Sequence, residues 1–220
     1  MIVTIDGPAG AGKSVVARRL AERLGFHFLD TGAMYRAAAL AALRQRVDWN
    51  DEQAVARIVK QTRFEFTPDR VLLGGEDVTT AIRTVEITGL TRHTANNPQV
   101  RHHLVALQQD LVSTGDYVTE GRDQGTVAFP HAECKIFLTA SPEERARRRQ
   151  ADLKTRGEEF PFEEILAQQN ARDESDSTRA VGPLIPAADA IHVLTDGLTL
   201  DEVVDKLIQI VEQCRSSSVD

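Results

Sequence analysis

The stretch that decides the fold is GPAGAGKS at residues 7–14, which matches the pattern Gly-x-x-x-x-Gly-Lys-Ser of a phosphate-binding loop, or P-loop. Residues 1–5 before it form a short, mainly apolar and β-branched run, which is typical of a buried strand. After it, apolar side chains recur at helical spacing from Ser14 to Leu24, and the pattern ends at Gly25. Because the loop joins a strand to a helix, it has the context in which this pattern binds phosphate. We therefore expect the chain to bind a nucleoside triphosphate.

The residue types in this loop explain how a triphosphate would be held. Its glycines let the backbone fold tightly and turn its N–H groups inward, and the following helix adds the positive end of its dipole. Lys13 can reach the β- and γ-phosphates, and the Ser14 hydroxyl can ligate Mg²⁺. A glycine-rich turn that binds nothing is the weaker alternative, since strand, motif and helix occur together.

Composition narrows the class of protein. The 220 residues suit one domain of moderate size with room for a small inserted lobe. The net charge of −7 gives no general attraction to nucleic acid or to an anionic membrane, so an anionic substrate would need local cations. No apolar run approaches the ~18 residues that span a bilayer, and the first strand leaves no room for a signal peptide. Cys134 and Cys214 lie far apart, as ordinary thiols of a reducing compartment do. We expect a cytoplasmic protein.

The rest of the chain alternates strands and helices, with one interruption. A second strand at 26–29 is followed by turn and N-cap residues at 30–32 and by an Ala-rich helix. Arg36 in that helix is either an anion-binding residue or a solvated charge. The segments after it include short strand patterns separated by turns, so we interpret residues 63–88 as an inserted lobe.

Polar residues follow the strand at 117–120, where the chain reads Gly-Arg-Asp at 121–123. Parallel α/β sheets bind ligands beyond the carboxyl ends of their strands, so Arg122 and Asp123 are candidate ligand contacts. An ion pair that only stabilises the turn is the alternative.

A helical hairpin follows the strand at 135–139. Its first helix carries four arginines between 145 and 149, and its second helix begins at about residue 162. Arg145, Arg148 and Arg149 share one face of the first helix, which favours a lid that closes over phosphates. The alternative is a solvated charged surface, because acids outnumber bases across the hairpin.

Together these motifs resemble the bacterial cytidylate kinases, and the resemblance covers nearly the whole chain. It rests on IDGPAGAGK at 5–13, DTGAMYR at 30–36, GEDV at 75–78, EGRDQGTVAFP at 120–130, KIFL at 135–138 and PAADA at 186–190. The resemblance implies an α/β, P-loop three-layer fold with a five-stranded parallel sheet core, a helical Arg-rich lid and a small β-containing insertion in the arm that binds the monophosphate. The implied division of residues 1–220 is a core at 1–30, 98–140 and 186–214, an arm at 31–97 with the inserted lobe at about 63–88, and a lid at about 143–180.

The resemblance also implies roles for individual residues. ATP would be held by Gly7, Pro8, Ala9, Gly10, Ala11, Gly12, Lys13, Ser14 and Val15. CMP would be bound by Thr31, Tyr35, Arg36, Arg101, Arg122, Asp123, Arg172, Asp176 and Arg179. The expected catalytic residues are Lys13, Arg122, Arg145, Arg149 and Arg179, and Ser14 would hold Mg²⁺. This chain has Arg92 where the family commonly has a serine near the cytosine, with Thr91 beside it.

The activity that the resemblance implies is transfer of the γ-phosphoryl group of ATP to CMP or dCMP, in line and without a covalent intermediate. We expect the protein to be a monomer. A kinase of the same fold that acts on another small acceptor is the alternative, since the two would share the P-loop and the lid. A GTPase switch is disfavoured because the sequence has no Asn-Lys-x-Asp motif. The intact Lys13 and Ser14 argue against a nucleotide-binding scaffold that has lost catalysis.

Overall fold

The computed structural model describes residues 1–67, 69–155 and 157–217, except for the side chain of Ser217. In chain order its elements are β1 Ile2–Asp6, α1 Lys13–Leu24, β2 His27–Asp30, α2 Thr31–Arg44, α3 Glu52–Gln61, β3 Phe64–Phe66, β4 Val71–Leu73, β5 Glu76–Asp77, a 3₁₀ turn Ala81–Arg83, α4 Val85–Ala95, α5 Pro98–Leu111, β6 Tyr117–Gly121, a π-helical turn Gln124–Ala128, β7 Cys134–Thr139, α6 Pro142–Thr155, α7 Phe162–Thr178, β8 Ile191–Leu194 and α8 Leu200–Ser217. They belong to two compact units, residues 1–28 with 115–220 and residues 29–114.

A five-stranded parallel sheet with the order β2-β6-β1-β7-β8 confirms the predicted core. The boundary between the two units falls within β2. β1 lies in the middle, where Val3 pairs with Val118 of β6 and with Cys134 of β7, and all three side chains are buried. A strand with neighbours on both sides and helices over its faces needs apolar, β-branched residues, which is why β1 could be recognised in the sequence. The P-loop therefore begins at the carboxyl end of the central strand of the sheet.

The first and last helices of the chain form one layer of the first unit. α1 and α8 pack on each other, and Leu20 and Leu207 belong to one buried cluster with residues of β1. α8 begins with a reciprocal cap, in which the Glu202 N–H donates to the Thr199 hydroxyl and the Thr199 N–H donates to the Glu202 carboxylate. This is the capping box that its sequence predicts.

The predicted lid is a pair of helices, α6 and α7, as expected. They pack on each other through a small apolar cluster that includes Ala146, Leu153 and Ile165. Arg156, within the predicted lid, lies outside the described residues. Movement of this hairpin stays a prediction.

The second unit contains α2 to α5 and the predicted β-containing insertion. Alanines cover most of the buried surface of α2, and their small side chains let α4 pack closely against it. β3, β4 and β5 form a three-stranded antiparallel sheet, which confirms the small insertion. We did not predict α4, whose Thr, Gly and Ile residues are weak helix formers, although Thr84 caps it and Ile87 anchors it.

α5 belongs to the second of the two compact units. α5 packs with α3 and α4 in the second unit, whereas we assigned residues 98–140 to the core. Its start is as predicted, because Asn97 caps the helix and Pro98 occupies its first position. The functional division into core, arm and lid stays a prediction.

The two cysteines are free thiols, but they are not far apart. Their Sγ atoms lie 3.0 Å from each other, with Cys134 buried on β7 and Cys214 partly exposed on α8. Burial, together with the second thiol, raises the pKa of Cys134. Eighty positions separate the two residues, so no local pattern indicates their contact. Separately, none of the helices within the described ranges is long and apolar enough to cross a lipid bilayer.

Candidate active site

The P-loop begins with its backbone against the end of a neighbouring strand. At Gly7 the φ angle is 153°, and a Cβ atom there would lie 2.0 Å from the carbonyl oxygen of Leu138 on β7. Only glycine fits a position that approaches another backbone this closely. The residues that we expect to bind ATP, 7–15, form this loop and the start of α1. ATP binding itself remains a prediction.

Lys13 is buried beneath the loop that it belongs to. Its Nζ atom donates a hydrogen bond of 2.7 Å to the carbonyl oxygen of Pro8. The pKa of Lys13 is lowered to about 7, first by burial and then by the charge of Arg122, against the opposing effect of Glu120. A buried ammonium group with too little compensating negative charge favours the arrival of a polyanion.

Two oxygen ligands meet where the P-loop enters α1. The Ser14 hydroxyl donates a hydrogen bond of 2.7 Å to the carboxylate of Glu120, the residue that pairs with Ile5 across β6 and β1. Hydroxyl and carboxylate oxygens suit Mg²⁺. In the ranges that the structure describes, no group of three or more His, Cys, Asp or Glu side chains could hold a metal. Mg²⁺ is usually held by one or two protein oxygen ligands together with phosphates and water, and the pair suits such an ion.

We predicted Ser14 as a metal ligand from the sequence, but we did not predict its contact with Glu120. An available signal was an acidic residue at the carboxyl end of a buried strand, one position before the Gly-Arg-Asp segment. Strand order was needed to use it, because only the sheet shows that β6 lies beside β1.

Asp6 joins the P-loop strand to the turn after β6. Its buried carboxylate accepts hydrogen bonds of 2.8 Å from the backbone N–H groups of Gln124 and Gly125. Burial raises the pKa of Asp6 to about 6, against the opposing effect of these hydrogen bonds. The π-helical turn that begins at Gln124 follows directly after Asp123. Asp6 thus anchors the end of the Gly-Arg-Asp segment, a role that we did not predict.

Several of the residues expected to bind the acceptor form a network of ion pairs in the first unit. Nε of Arg122 donates a hydrogen bond of 2.8 Å to Asp176 of α7. Nitrogens of the Arg179 guanidinium lie 3.8 Å from the Asp123 carboxylate and 4.0 Å from that of Asp176. We call these four residues the Arg122 group. Burial alone would raise the pKa of Asp176, but the charges of Arg122, Arg172 and Arg179 lower it overall. The arginines of the group therefore favour the ionised form of Asp176, and the carboxylates hold the arginines close together.

Arg172 lies on the exposed surface of α7, one turn before Asp176. Its charge acts on Asp176 and on Lys13, so it contributes to the positive potential of the same unit. Contact of Arg172 with a nucleotide stays a prediction.

The two lid arginines that we expect to act on the transferring group differ in position. Arg145 is buried, and its guanidinium donates to the carbonyl oxygen of Ala9 in the P-loop at 2.9 Å and pairs with Asp173 of α7 at 2.6 Å. Arg149 is exposed on α6. Arg145 therefore fixes the lid hairpin to the P-loop in this structure, whereas Arg149 faces solvent. Neither catalytic role is tested by this arrangement.

The second unit carries the other residues expected to bind the acceptor. Thr31 and Tyr35 are buried in α2, and Arg36 pairs with the Asp30 carboxylate at 3.1 Å. The buried Arg101 of α5 places its guanidinium carbon 5.4 Å from the centre of the Tyr35 ring, and it donates to a backbone carbonyl of α4. The predicted acceptor residues thus fall into two sets, one in each unit. Their action on one ligand stays a prediction.

The departure from the family pattern lies on α4. Arg92 is exposed and its Nε lies 3.4 Å from the ring of His93. The neighbouring Thr91 hydroxyl donates to the carbonyl oxygen of Ile87. Both side chains therefore have partners within their own helix, and the contact that either makes with a base stays open.

The sequence is similar to a protein family and to individual curated proteins along nearly its whole length. A protein-family profile described as Cytidylate kinase matches residues 3–213. A cytidylate kinase of Rhodopirellula baltica is 49% identical over 218 residues, which are 99% of this chain and 95% of the relative. One from Carboxydothermus hydrogenoformans is 46% identical over 215 residues, with 96% and 97% of the two chains covered.

Among solved structures, the chain is similar to a gluconokinase from Sinorhizobium meliloti 1021. The TM-score is 0.51, the identity is 15%, and the match covers 99% of this chain and 95% of the other. At this identity the likeness concerns the fold alone, and the fold is that of a P-loop kinase.

Proposed function

The chain belongs to the cytidylate kinase family, and we propose that it transfers the γ-phosphoryl group of ATP to the phosphate of CMP or dCMP, giving ADP and CDP or dCDP. The observation that carries this proposal is the hydrogen bond of 2.7 Å from Ser14, the residue after Lys13, to Glu120, two residues before Arg122. Because β1 pairs with β6, the P-loop and the Gly-Arg-Asp segment leave neighbouring strands inside one unit. Phosphoryl transfer between two nucleotides requires that closeness.

The acceptor needs no general base. A phosphate monoester has a second pKa near ~6, so it is already a dianion at neutral pH. The difficulty is instead to bring two polyanions together, because two unit charges 4 Å apart repel by about 4 kcal/mol at an effective dielectric constant of 20. A site of this kind therefore needs several fixed cations. Because the acceptor is already a nucleophile, no covalent enzyme intermediate is required, which favours direct in-line transfer.

The arginines divide into two roles in this proposal. Arg36, Arg122 and Arg179 bind the acceptor phosphate, with two hydrogen bonds each where the geometry allows. Lys13, Arg145 and Arg149 stabilise the negative charge on the phosphoryl group during transfer. Arg122 and Arg179 are already paired with carboxylates, so an arriving phosphate would share or replace those partners.

Ser14 and Glu120 are the residues that would hold Mg²⁺ with ATP, because their oxygen atoms suit this ion. When bound, the ion supplies positive charge at the β- and γ-phosphate oxygens. The lid hairpin, if it closes, excludes the water that would otherwise accept the phosphoryl group.

Base selection follows from hydrogen-bonding patterns. The Asp123 carboxylate can accept from the N4 amino group of cytosine, and Arg101 can donate to N3 or O2. Uracil inverts the pattern at these positions, so it would leave buried polar groups unpaired. A cytoplasmic location, a monomeric state and the absence of nucleic-acid or membrane partners are further parts of this proposal.

A coupled assay of ADP release with a panel of acceptors tests the proposed function. The acceptors are CMP, dCMP, UMP, AMP and shikimate, with ATP alone as the background control. We expect the highest kcat/KM with CMP or dCMP. Preferred turnover of shikimate or AMP would instead show a kinase of the same fold with another acceptor, and release equal to the background would contradict a kinase altogether.

A further inference from the structure

Two arginines share one carboxylate at the junction of β2 and α2. Nη2 of Arg36 lies 3.1 Å from Oδ2 of Asp30, and Nη2 of Arg83 lies 3.4 Å from the same oxygen. The other oxygen, Oδ1, accepts a hydrogen bond of 2.7 Å from the N–H of Ala33 and so caps α2. Arg83 ends the 3₁₀ turn Ala81–Arg83 in the inserted lobe, 47 positions after Arg36. Asp30 therefore brings an arginine of the lobe beside an arginine expected to bind the acceptor.

The charges of this cluster do not balance. One carboxylate faces two guanidinium groups, so one positive charge remains. The backbone contributes one hydrogen-bond donor at the same carboxylate and no anion. Asp30 attracts both guanidinium groups, but a single carboxylate leaves their mutual repulsion only partly offset. A phosphate dianion would supply the missing negative charge.

The arginines also retain donors for such an anion. The buried Nε of Arg36 has no hydrogen-bond partner within the described residues. The side chain of Arg83 is 52% exposed, so a ligand in solution can reach it. Gly32 keeps the space open, because a Cβ atom there would lie 3.0 Å from Nη1 of Arg36 and 3.3 Å from the Asp30 carboxylate.

A purely stabilising ion pair does not account for this arrangement. Asp30 caps α2 and pairs with Arg36, so it has both of these stabilising contacts without a second arginine. The added contact with the half-exposed Arg83, at 3.4 Å, contributes little to folding. The second cation is instead what a site for a divalent anion requires.

We propose that Arg83 is an additional acceptor-binding residue: together with Arg36 it binds the phosphate dianion of the acceptor nucleotide, and Asp30 positions the pair. This inference rests on the proposed function and extends it to the inserted lobe, which supplies one of the phosphate ligands. The lobe then affects affinity for the acceptor but not for ATP.

Calorimetric titration with CMP tests the inference, and cytidine serves as a competitor. Cytidine has the base and sugar of CMP but no phosphate, so it does not use a phosphate ligand. We expect Arg83→Gln to raise the Kd for CMP about tenfold, the loss typical of a charge-assisted hydrogen bond. The inhibition constant of cytidine and the KM for ATP should not change. Arg83→Lys keeps the positive charge but lacks the planar guanidinium group. Its Kd for CMP should therefore lie between those of the unsubstituted protein and of Arg83→Gln.

Arg63→Gln is the matched control. Arg63 lies at the edge of the same lobe, 79% exposed, and pairs with Glu65 rather than with Asp30. Its Kd for CMP should stay within about twofold of the unsubstituted protein, as is usual for an exposed ion pair. Thermal unfolding of each variant checks that the lobe is intact.

Three outcomes decide between the possibilities. If the unsubstituted protein binds CMP more tightly than cytidine and Arg83→Gln keeps the same ratio, the inference is wrong and the proposed function stands. A parallel loss of CMP and cytidine affinity would show that Arg83 only supports the lobe. If the unsubstituted protein does not prefer CMP to cytidine, both the proposed function and the inference are overturned.

Discussion

The P-loop region and the Arg122 group hold their functional side chains in different ways. In the P-loop region, Lys13 donates to a backbone carbonyl, Asp6 accepts from two backbone N–H groups, and Arg145 donates to a carbonyl of the loop. In the Arg122 group the arginines pair mainly with the side chains of Asp123 and Asp176. Asp30 and Arg36 of the second unit repeat the second arrangement.

This difference matches the two ligands that we propose. A triphosphate presents the same oxygens whatever its base, so a rigid backbone cradle can bind it without adjustment. A monophosphate acceptor must be admitted, selected by its base and released after each turnover. Arginines that rest on carboxylates can exchange those partners for a ligand, whereas backbone groups stay in place. Three substitutions test this contrast, in decreasing order of expected effect on activity.

Lys13→Ala tests the backbone-held region. We expect kcat to fall by about a thousandfold or more, because an aligned charge that stabilises the transferring group is lost. The fold should persist, and the melting temperature should not fall, since burial of the ammonium group opposes its ionisation in the free protein. Activity and unfolding are measured on the same preparations.

Lys206→Ala is the control for this change, because Lys206 is exposed on α8 in the same unit. It should change neither measurement. Near-normal turnover by Lys13→Ala would refute the role of the P-loop in the transfer.

Asp123→Ala tests the side-chain-held region. Loss of a buried acceptor for the cytosine amino group should lower kcat/KM for CMP by about a hundredfold, or about 3 kcal/mol. ATP affinity should change little, because the P-loop keeps its backbone contacts. Steady-state kinetics with each substrate varied in turn separate the two effects. Asp152→Ala, an exposed acid of α6, provides the control. Equal losses for both substrates would mean that Asp123 supports the whole site rather than the acceptor.

Asp6→Asn tests the link between the two regions. Asparagine can accept one of the two backbone hydrogen bonds but not both, so the turn after Asp123 should loosen and KM for CMP should rise about tenfold. KM for ATP should change less. If both values rise equally, Asp6 acts on the P-loop itself and the proposed link is wrong.

The same substitution has a predictable effect on stability. The folded pKa of Asp6, about 6, is higher than its ordinary value of 3.8, so the folded state binds the proton more tightly. Stability from this group is therefore greatest at low pH and falls by about 3 kcal/mol as pH rises from about 4 to 7. Since asparagine does not titrate, the melting temperature of the unsubstituted protein minus that of Asp6→Asn should decrease over this range. A constant difference would contradict the raised pKa.

The same contrast explains what could be predicted from the sequence. The P-loop, β1 and α1 are contiguous, and their glycine pattern, strand run and helical spacing all depend on neighbouring residues. The family resemblance supplied the five-stranded sheet and the small insertion, and both are present. α4 was missed because its helix formers are weak and packing on α2 stabilises it instead.

Pairs of distant residues could not be predicted in this way. Glu120 meets Ser14, and Asp6 meets Gln124, only after the sheet has placed β6 beside β1. Arg83 meets Asp30 through the folding of the lobe, and no local pattern marks either residue. Side-chain contacts between separate elements depend on topology and register, whereas the sequence shows directly only the order of the elements.

The close approach at Gly7 limits how this protein can be altered. A directed-evolution library that randomises the loop should leave the codon for residue 7 untouched, because the obstruction is the carbonyl oxygen of Leu138 in a buried strand, which has little freedom to withdraw. Gly10 and Gly12 should be kept as well, because their φ angles of 78° and 84° lie in the left-handed region that favours glycine.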